Sequence, residues 1–211
     1  MAVFKGTVPK GAVVLTEEEA ASRQIALIKD WQPVEEVFFL KNGSIISGLC
    51  TLPAGAYLIN VMRKAMKVGK YGKITTTVAG LAMPMCCTAL LHHLSVTRDV
   101  VIHKTECSTC VGVRSGFIQC LIGGIYPAVI IPLSVATFAS RLQTAILPEN
   151  FRHVPSAVRK LYAPHKNIFL ANLIAQFLIG FVLSELETKN TLNIYARFTR
   201  MQEDIEEKSE S

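Results

Sequence analysis

Two cysteines three positions apart, Cys107 and Cys110, are the residues whose spacing most suggests chemistry in this chain. Thiols in a Cys-x-x-Cys pair can close a small disulfide or exchange one with another thiol. The pair lies just ahead of a long apolar run, and the positive end of a helix starting there lowers a nearby thiolate pKa. A redox dithiol also needs a substrate site, and nothing in the sequence marks one. A structural disulfide facing an oxidising space is the plainer expectation, and thiol exchange stays open beside it. His103, Cys107 and Cys110 together with His92 or His93 offer four nitrogen and sulfur donors, the set a closed zinc site takes. One Cys-x-x-Cys with scattered histidines is a weak signal, however, and His92-His93 reads as a helix end reaching for the membrane interface. No phosphate-cradling glycine loop, nucleophile elbow or paired carboxylate occurs. No catalytic, metal or cofactor-binding residue is therefore assigned, and an enzyme is not expected.

A second group is polar without being reactive. Asn172 and Gln176 are one turn apart in an apolar run, and Gln119 lies in another. Amides in lipid need partners, so this face is expected to look inward, Asn172 and Gln176 toward Gln119. Gly123 and Gly124 offer a smooth patch on which a neighbouring helix can sit. These five residues are the candidate interhelical contacts.

The elements that must position them are apolar and long. Charged residues make up only 18 % of the 211, and mean hydropathy is +0.36; soluble domains carry nearer a quarter charged. Ser115 to Ser140 is 26 residues without Asp, Glu, Lys, Arg or His, well beyond the ~18 that mark a membrane-crossing helix. Three further runs, 44–62, 74–97 and 167–184, are also uncharged. No acidic residue falls within the four, which argues against a proton-coupled transporter. The fold expected is an all-α membrane protein, a four-transmembrane-helix bundle with amphipathic terminal helices. Its parts are an N-terminal polar and amphipathic segment (1–43), a four-span membrane domain (44–184) and an acidic tail helix (185–211). The third run is longer than a hydrocarbon core of about 30 Å requires, so tilt or a kink at Pro127 or Pro132 is expected.

The net charge of +6 is not spread evenly. Residues 63–73 hold five Lys/Arg and no acid, and residues 141–166 hold five against Glu149 alone. With four spans both segments share one face, as the positive-inside rule requires. Both termini and the 98–114 loop then face the other side. No basic-aromatic module is present, so nucleic acid is not an expected partner. Residues 1–15 look loose. Thr16 and Glu19 form a capping box for a helix reaching about Trp31, with Ala21, Ile25, Ile28 and Trp31 on one face. That face can lie on the membrane, meet a partner or pack on the bundle itself. A short helix over Val34–Lys41 is expected to stop at Asn42-Gly43. Ile194, Phe198, Met201 and Ile205 make an apolar stripe on the tail.

Several motifs are also familiar. E-C-x-T-C, R-S-G, I-G-G-I-Y-P, I-P-L and R-L-Q-T-A-I-L-P, read from Glu106 to Pro148, resemble the transmembrane protein 126 family. Leu40-Lys41-Asn42-Gly43-Ser44 and Met62-Arg63-Lys64 fit the same pattern. The resemblance covers roughly residues 33 to 186, and the Cys pair makes it closer to the A-type member. It implies a multi-pass protein of the mitochondrial inner membrane that stabilises membrane-arm intermediates of respiratory complex I alongside other assembly factors. The basic loops would then face the matrix, and the termini and the 98–114 loop the intermembrane space. It carries over no catalytic residues and no small-molecule substrate. A small channel or transporter, and a stable accessory subunit of the mature complex, are the alternatives.

Overall fold

A computed structural model describes residues 16–102, 107–144 and 162–210. Residues 1–15 and His103 lie outside the described residues, as does the side chain of Ile205. Among the described residues there are helices and turns but no strand. Four helices are long and apolar enough to cross a membrane: Val34–Ala65, Lys73–Val101, Ser108–Arg141 and Ala163–Met201.

The spans are built from shorter pieces, because glycine and proline interrupt the helical ladder. The first joins a 3₁₀ turn (Val34–Val37) to α2 (Phe38–Leu49) and α3 (Leu52–Ala65), with the junction just ahead of Pro53. The second comprises α4 (Lys73–Thr77), a widened π turn (Val78–Ala82), α5 (Met83–His92), another π turn (His93–Thr97) and α6 (Arg98–Val101). The third comprises α7 (Ser108–Gln119), a π turn (Cys120–Ile125) and α8 (Tyr126–Arg141). A helical proline loses one hydrogen bond and clashes with the carbonyl four residues back. For Pro84 and Pro127 that residue is Gly80 and Gly123, each inside a π turn that absorbs the misfit. The fourth span opens with a 3₁₀ turn (Ala163–His165) and continues as α9 (Lys166–Glu210). At 45 residues α9 is about 68 Å long. It passes Ser184 without a break, so span and tail are one helix.

The sequence expectation also fails at Asn42-Gly43. The helix runs straight through to Leu49, Gly43 is buried, and Asn42 donates its amide to Phe38 O at 3.1 Å. Glycine there serves helix packing instead of helix termination.

Two apolar clusters close the ends of the bundle. At the basic end, Leu58, Ile59, Met62, Met66 and Val68 pack against Ala128, Ile131, Val135 and Ala139. Thr144 donates to Met66 O at 3.0 Å, so the end of α8 meets the 63–73 segment. At the other end, Val37, Leu40, Val96, Val100, Val101, Val111 and Ile194 form the second cluster. Before the first span, α1 (Glu17–Lys29) carries the expected capping box: Glu19 N–H donates to Thr16 Oγ1 at 3.3 Å, and Thr16 N–H to Glu19 Oε2 at 3.1 Å. Ile25, Ile28 and Trp31 pack on the second cluster, which settles the open question of where that face goes. The Trp31 ring meets Phe198 edge-on at 5.0 Å, and Arg197 pairs with Glu36 at 2.7 Å. The stripe on the tail is thus partly used within the chain, though Met201 stays exposed.

Candidate functional site: the polar layer inside the bundle

Between the two apolar clusters lies a layer of polar side chains, contributed by all four spans. Its first part is the amide set. Gln119 donates to Gln176 Oε1 and to Ser47 O, both at 2.9 Å, and accepts from the Ser47 hydroxyl at 2.7 Å. Gln176 donates to Cys50 O at 3.0 Å. The first, third and fourth spans are thereby joined at one level, with Ser47, Gln119 and Gln176 all buried. Gly123 and Gly124 face the same seam. A methyl group on Gly123 would stand 2.8 Å from Thr51 Cγ2, and one on Gly124 would stand 2.6 Å from Leu173 Cδ2. Asn172 differs: it is half-buried and lines an outer groove, with its Nδ2 3.9 Å from where a methyl group on Gly124 would stand.

The second part, about 16 Å further along α9 by residue count, is a buried ionisable pair. His92 Nε2 lies 2.9 Å from Glu187 Oε1, and the two residues are 1 % and 0 % exposed. Ser115 fixes the protons. Its hydroxyl donates to Gly180 O at 2.7 Å, so its contact with His92 Nδ1 at 3.3 Å is one in which the imidazole N–H donates. One proton is then left between Nε2 and Oε1. Whether it sits on nitrogen or oxygen, the pair carries no net charge. That makes it tolerable in a low-dielectric interior, where a lone ion is very costly. Glu187 Oε2 has no hydrogen-bond partner among the described residues.

Glycines make room for this arrangement. A Cβ on Gly43 would run into the Glu187 carboxylate, and one on Gly180 would stand 2.6 Å from Ser115 O. On α7, Gly112 and Gly116 are four residues apart and take the rings of Phe181 and Phe177. This small-xxx-small ridge lets α7 and α9 approach closely enough for their buried polar groups to bond.

His92 is therefore not a helix end reaching for the interface, because it is among the most deeply buried side chains. With both ring nitrogens engaged, it is not placed to ligate zinc beside the cysteines. Glu187 places an acid in the bundle interior, although the four uncharged runs contain none. It lay outside the uncharged run, yet it continues the Gln176, Gly180, Leu183 face of the same helix. That periodicity was the available signal, and the end of the apolar run concealed it. The Gly112-x-x-x-Gly116 spacing was a second signal passed over.

Cys107 and Cys110 are joined as a disulfide across the first turn of α7. Cys107 Sγ also accepts the Cys110 N–H at 3.2 Å, capping the helix. Next to them Ser108 donates to Glu185 Oε2 at 2.8 Å, and Arg114 pairs with Asp99 at 2.8 Å. Both cysteines are exposed, at the end of the bundle where Ser108 ties the third span to the fourth and Arg114 ties it to the second.

The model of one protein family, described as transmembrane protein 126, matches residues 26–201. The chain belongs to the transmembrane protein 126 family. The match includes every residue of the polar layer. A Drosophila melanogaster protein named transmembrane protein 126 is 29 % identical over 203 residues, covering 94 % of this chain and 91 % of the fly protein. Human transmembrane protein 126A is 31 % identical over 117 residues, covering 55 % of this chain and 59 % of its own length. The Pongo abelii protein of that name is 32 % identical over 120 residues, with the same coverage. No solved structure matches the chain. The family's name and the four apolar helices agree on a multi-span membrane protein.

Proposed function

We propose that this member of the transmembrane protein 126 family is a mitochondrial inner-membrane scaffold that stabilises membrane-arm intermediates of respiratory complex I. The organelle and the client come from the motif resemblance described above. The observation that carries a scaffold over a channel is the closed interior. Gln119 and Gln176 are hydrogen-bonded to each other and to Ser47 and Cys50, and apolar clusters cap the layer at both ends. A conducting path needs those amides to face water, and here they face protein.

With the interior closed, a client would be held on the outer faces of the bundle. Gly123, Gly124 and Gln176 are taken up by the chain's own helices, so they are not docking points. The outward faces of the second and fourth spans are free instead. Only 22 % of each apolar window is buried, against 39 % and 44 % for the first and third. Leu90, Leu94, Leu170 and Leu178 stand on these faces. A client helix would meet them by van der Waals packing, since lipid supplies no hydrophobic drive between helices.

Depletion followed by native gels tests the role. The proposal expects membrane-arm intermediates of complex I to fall in amount and mature complex to follow. An unchanged ladder of intermediates removes it. Photo-crosslinkers at Leu90 and Leu178 are expected to capture membrane-arm subunits, and residue 119 is expected to capture none.

A further inference from the structure

A groove of about 120 Å³ opens between α3 and α9 on the outer surface of the bundle, in the half that carries the basic 63–73 turn. Its walls are Ala54 and Leu58 on one helix and Ile168 and Phe169 on the other. At its rim the Tyr57 hydroxyl and His165 Nδ1 are 3.0 Å apart. The lining residues follow helical spacing on both sides, so the groove runs along the helix axes for roughly 10 Å. In a bilayer that direction is the membrane normal, which is also the direction of a lipid chain.

Size and charge select the occupant. A helix with its side chains is about 10–12 Å across and does not enter a slot of this volume. A short stretch of a single acyl chain does, with the rest of the chain lying along the open side of the slot. At the basic end, Lys64 shares the α3 face of Tyr57 two turns further on, and Lys166 opens α9 beside His165. Both lysines are exposed and have no ion-pair partner among the described residues. Arg63, by contrast, is occupied internally by Thr76, Gly69 and Tyr71. An apolar slot ending in two free cations at the membrane boundary fits one class of molecule in the bilayer.

We infer that this groove binds an anionic phospholipid, with one acyl chain between α3 and α9 and the phosphate held by Lys64 and Lys166. The inference rests on the membrane bundle alone, so it stands or falls separately from the complex I role.

Native mass spectrometry of the full chain, incubated with phosphatidylglycerol or phosphatidylcholine of identical acyl chains, tests it. The expected result is one retained lipid, with phosphatidylglycerol favoured about tenfold or more. The double substitution Lys64→Gln, Lys166→Gln is expected to reduce phosphatidylglycerol to the phosphatidylcholine level. Ala54→Phe, which fills the groove, is expected to abolish the adduct for both lipids. If Ala54→Phe loses its folded spectrum, Ile168→Trp makes the same test from an exposed wall position. Equal retention of the two lipids by the unaltered chain overturns the inference. So does an adduct that survives groove filling, or a dimer in place of the lipid-bound monomer that disappears with Ala54→Phe, which would assign the surface to a second copy.

Discussion

Arg63 and Glu187 are both buried ionisable side chains on apolar spans, in opposite halves of the bundle, and they are accommodated in different ways. Arg63 stands at the C-terminal end of α3, close to the bundle's basic end. Its guanidinium donates to Thr76 Oγ1 at 3.1 Å, to Tyr71 O at 2.9 Å and to Gly69 O. No carboxylate among the described residues pairs with it. It keeps its charge because carbonyl dipoles at a helix end and turn receive it and because water is near. Glu187 is more completely buried, on the inward face of α9, where backbone carbonyls offer a carboxylate nothing. It meets His92 instead and shares a proton, so that a dipole is buried and not an ion. How completely a charged residue is sealed in this fold thus decides whether a backbone turn suffices or a second titratable side chain is required.

The largest effect should come from breaking the more completely sealed site. His92→Ala strands Glu187 without a partner and is expected to cost about 3–5 kcal/mol, read as thermal unfolding of the purified chain. Replacing both by apolar residues of similar volume, as in His92→Leu with Glu187→Met, is expected to recover most of that loss. If the His92→Ala chain unfolds like the unaltered one, the pair is not what joins these helices. Gly43→Ala comes next, because the new methyl collides with the Glu187 carboxylate; overpacking of this kind costs about 1–3 kcal/mol. A neutral result there would place Glu187 elsewhere.

At the other site the effect should be smaller. Arg63→Ala leaves the carbonyls of Gly69 and Tyr71 unpaired but near water, so about 1–2 kcal/mol is expected. A loss as large as that of His92→Ala would mean that Arg63 is as deeply sealed as Glu187, and the comparison would fail. The smallest change belongs to the neutral amides. Interhelical hydrogen bonds in membranes average about 0.6 kcal/mol, so Gln119→Leu is expected to cost roughly 1 kcal/mol for its several bonds. A drop above about 3 kcal/mol would make the amide set, not the ionisable pair, the dominant tie.

Much of the fold was legible because bilayer physics writes plainly. Uncharged runs marked the four helices, and Thr16 with Glu19 marked the start of α1. The pairing of Gln176 with Gln119 could be anticipated because two amides in apolar runs have few other places to go. The site's centre was hidden for a different reason. Charge ends an apolar run on paper, yet α9 continues through Ser184, and its inward face then carries Glu187 into protein. Gly43 misled in the same way: Asn-Gly normally ends a helix, and here the missing Cβ makes space for a carboxylate 144 residues later in the chain. Neither fact is local, so no window of sequence contains both partners.

The account rests most heavily on His92 and Glu187 acting as one unit. A double-mutant cycle in lipid nanodiscs, with His92→Ala, Glu187→Ala and both together, measures that directly. The account predicts that the double variant is destabilised by clearly less than the two single losses combined, with a coupling of at least about 2 kcal/mol. Additivity to within about 0.5 kcal/mol would contradict it.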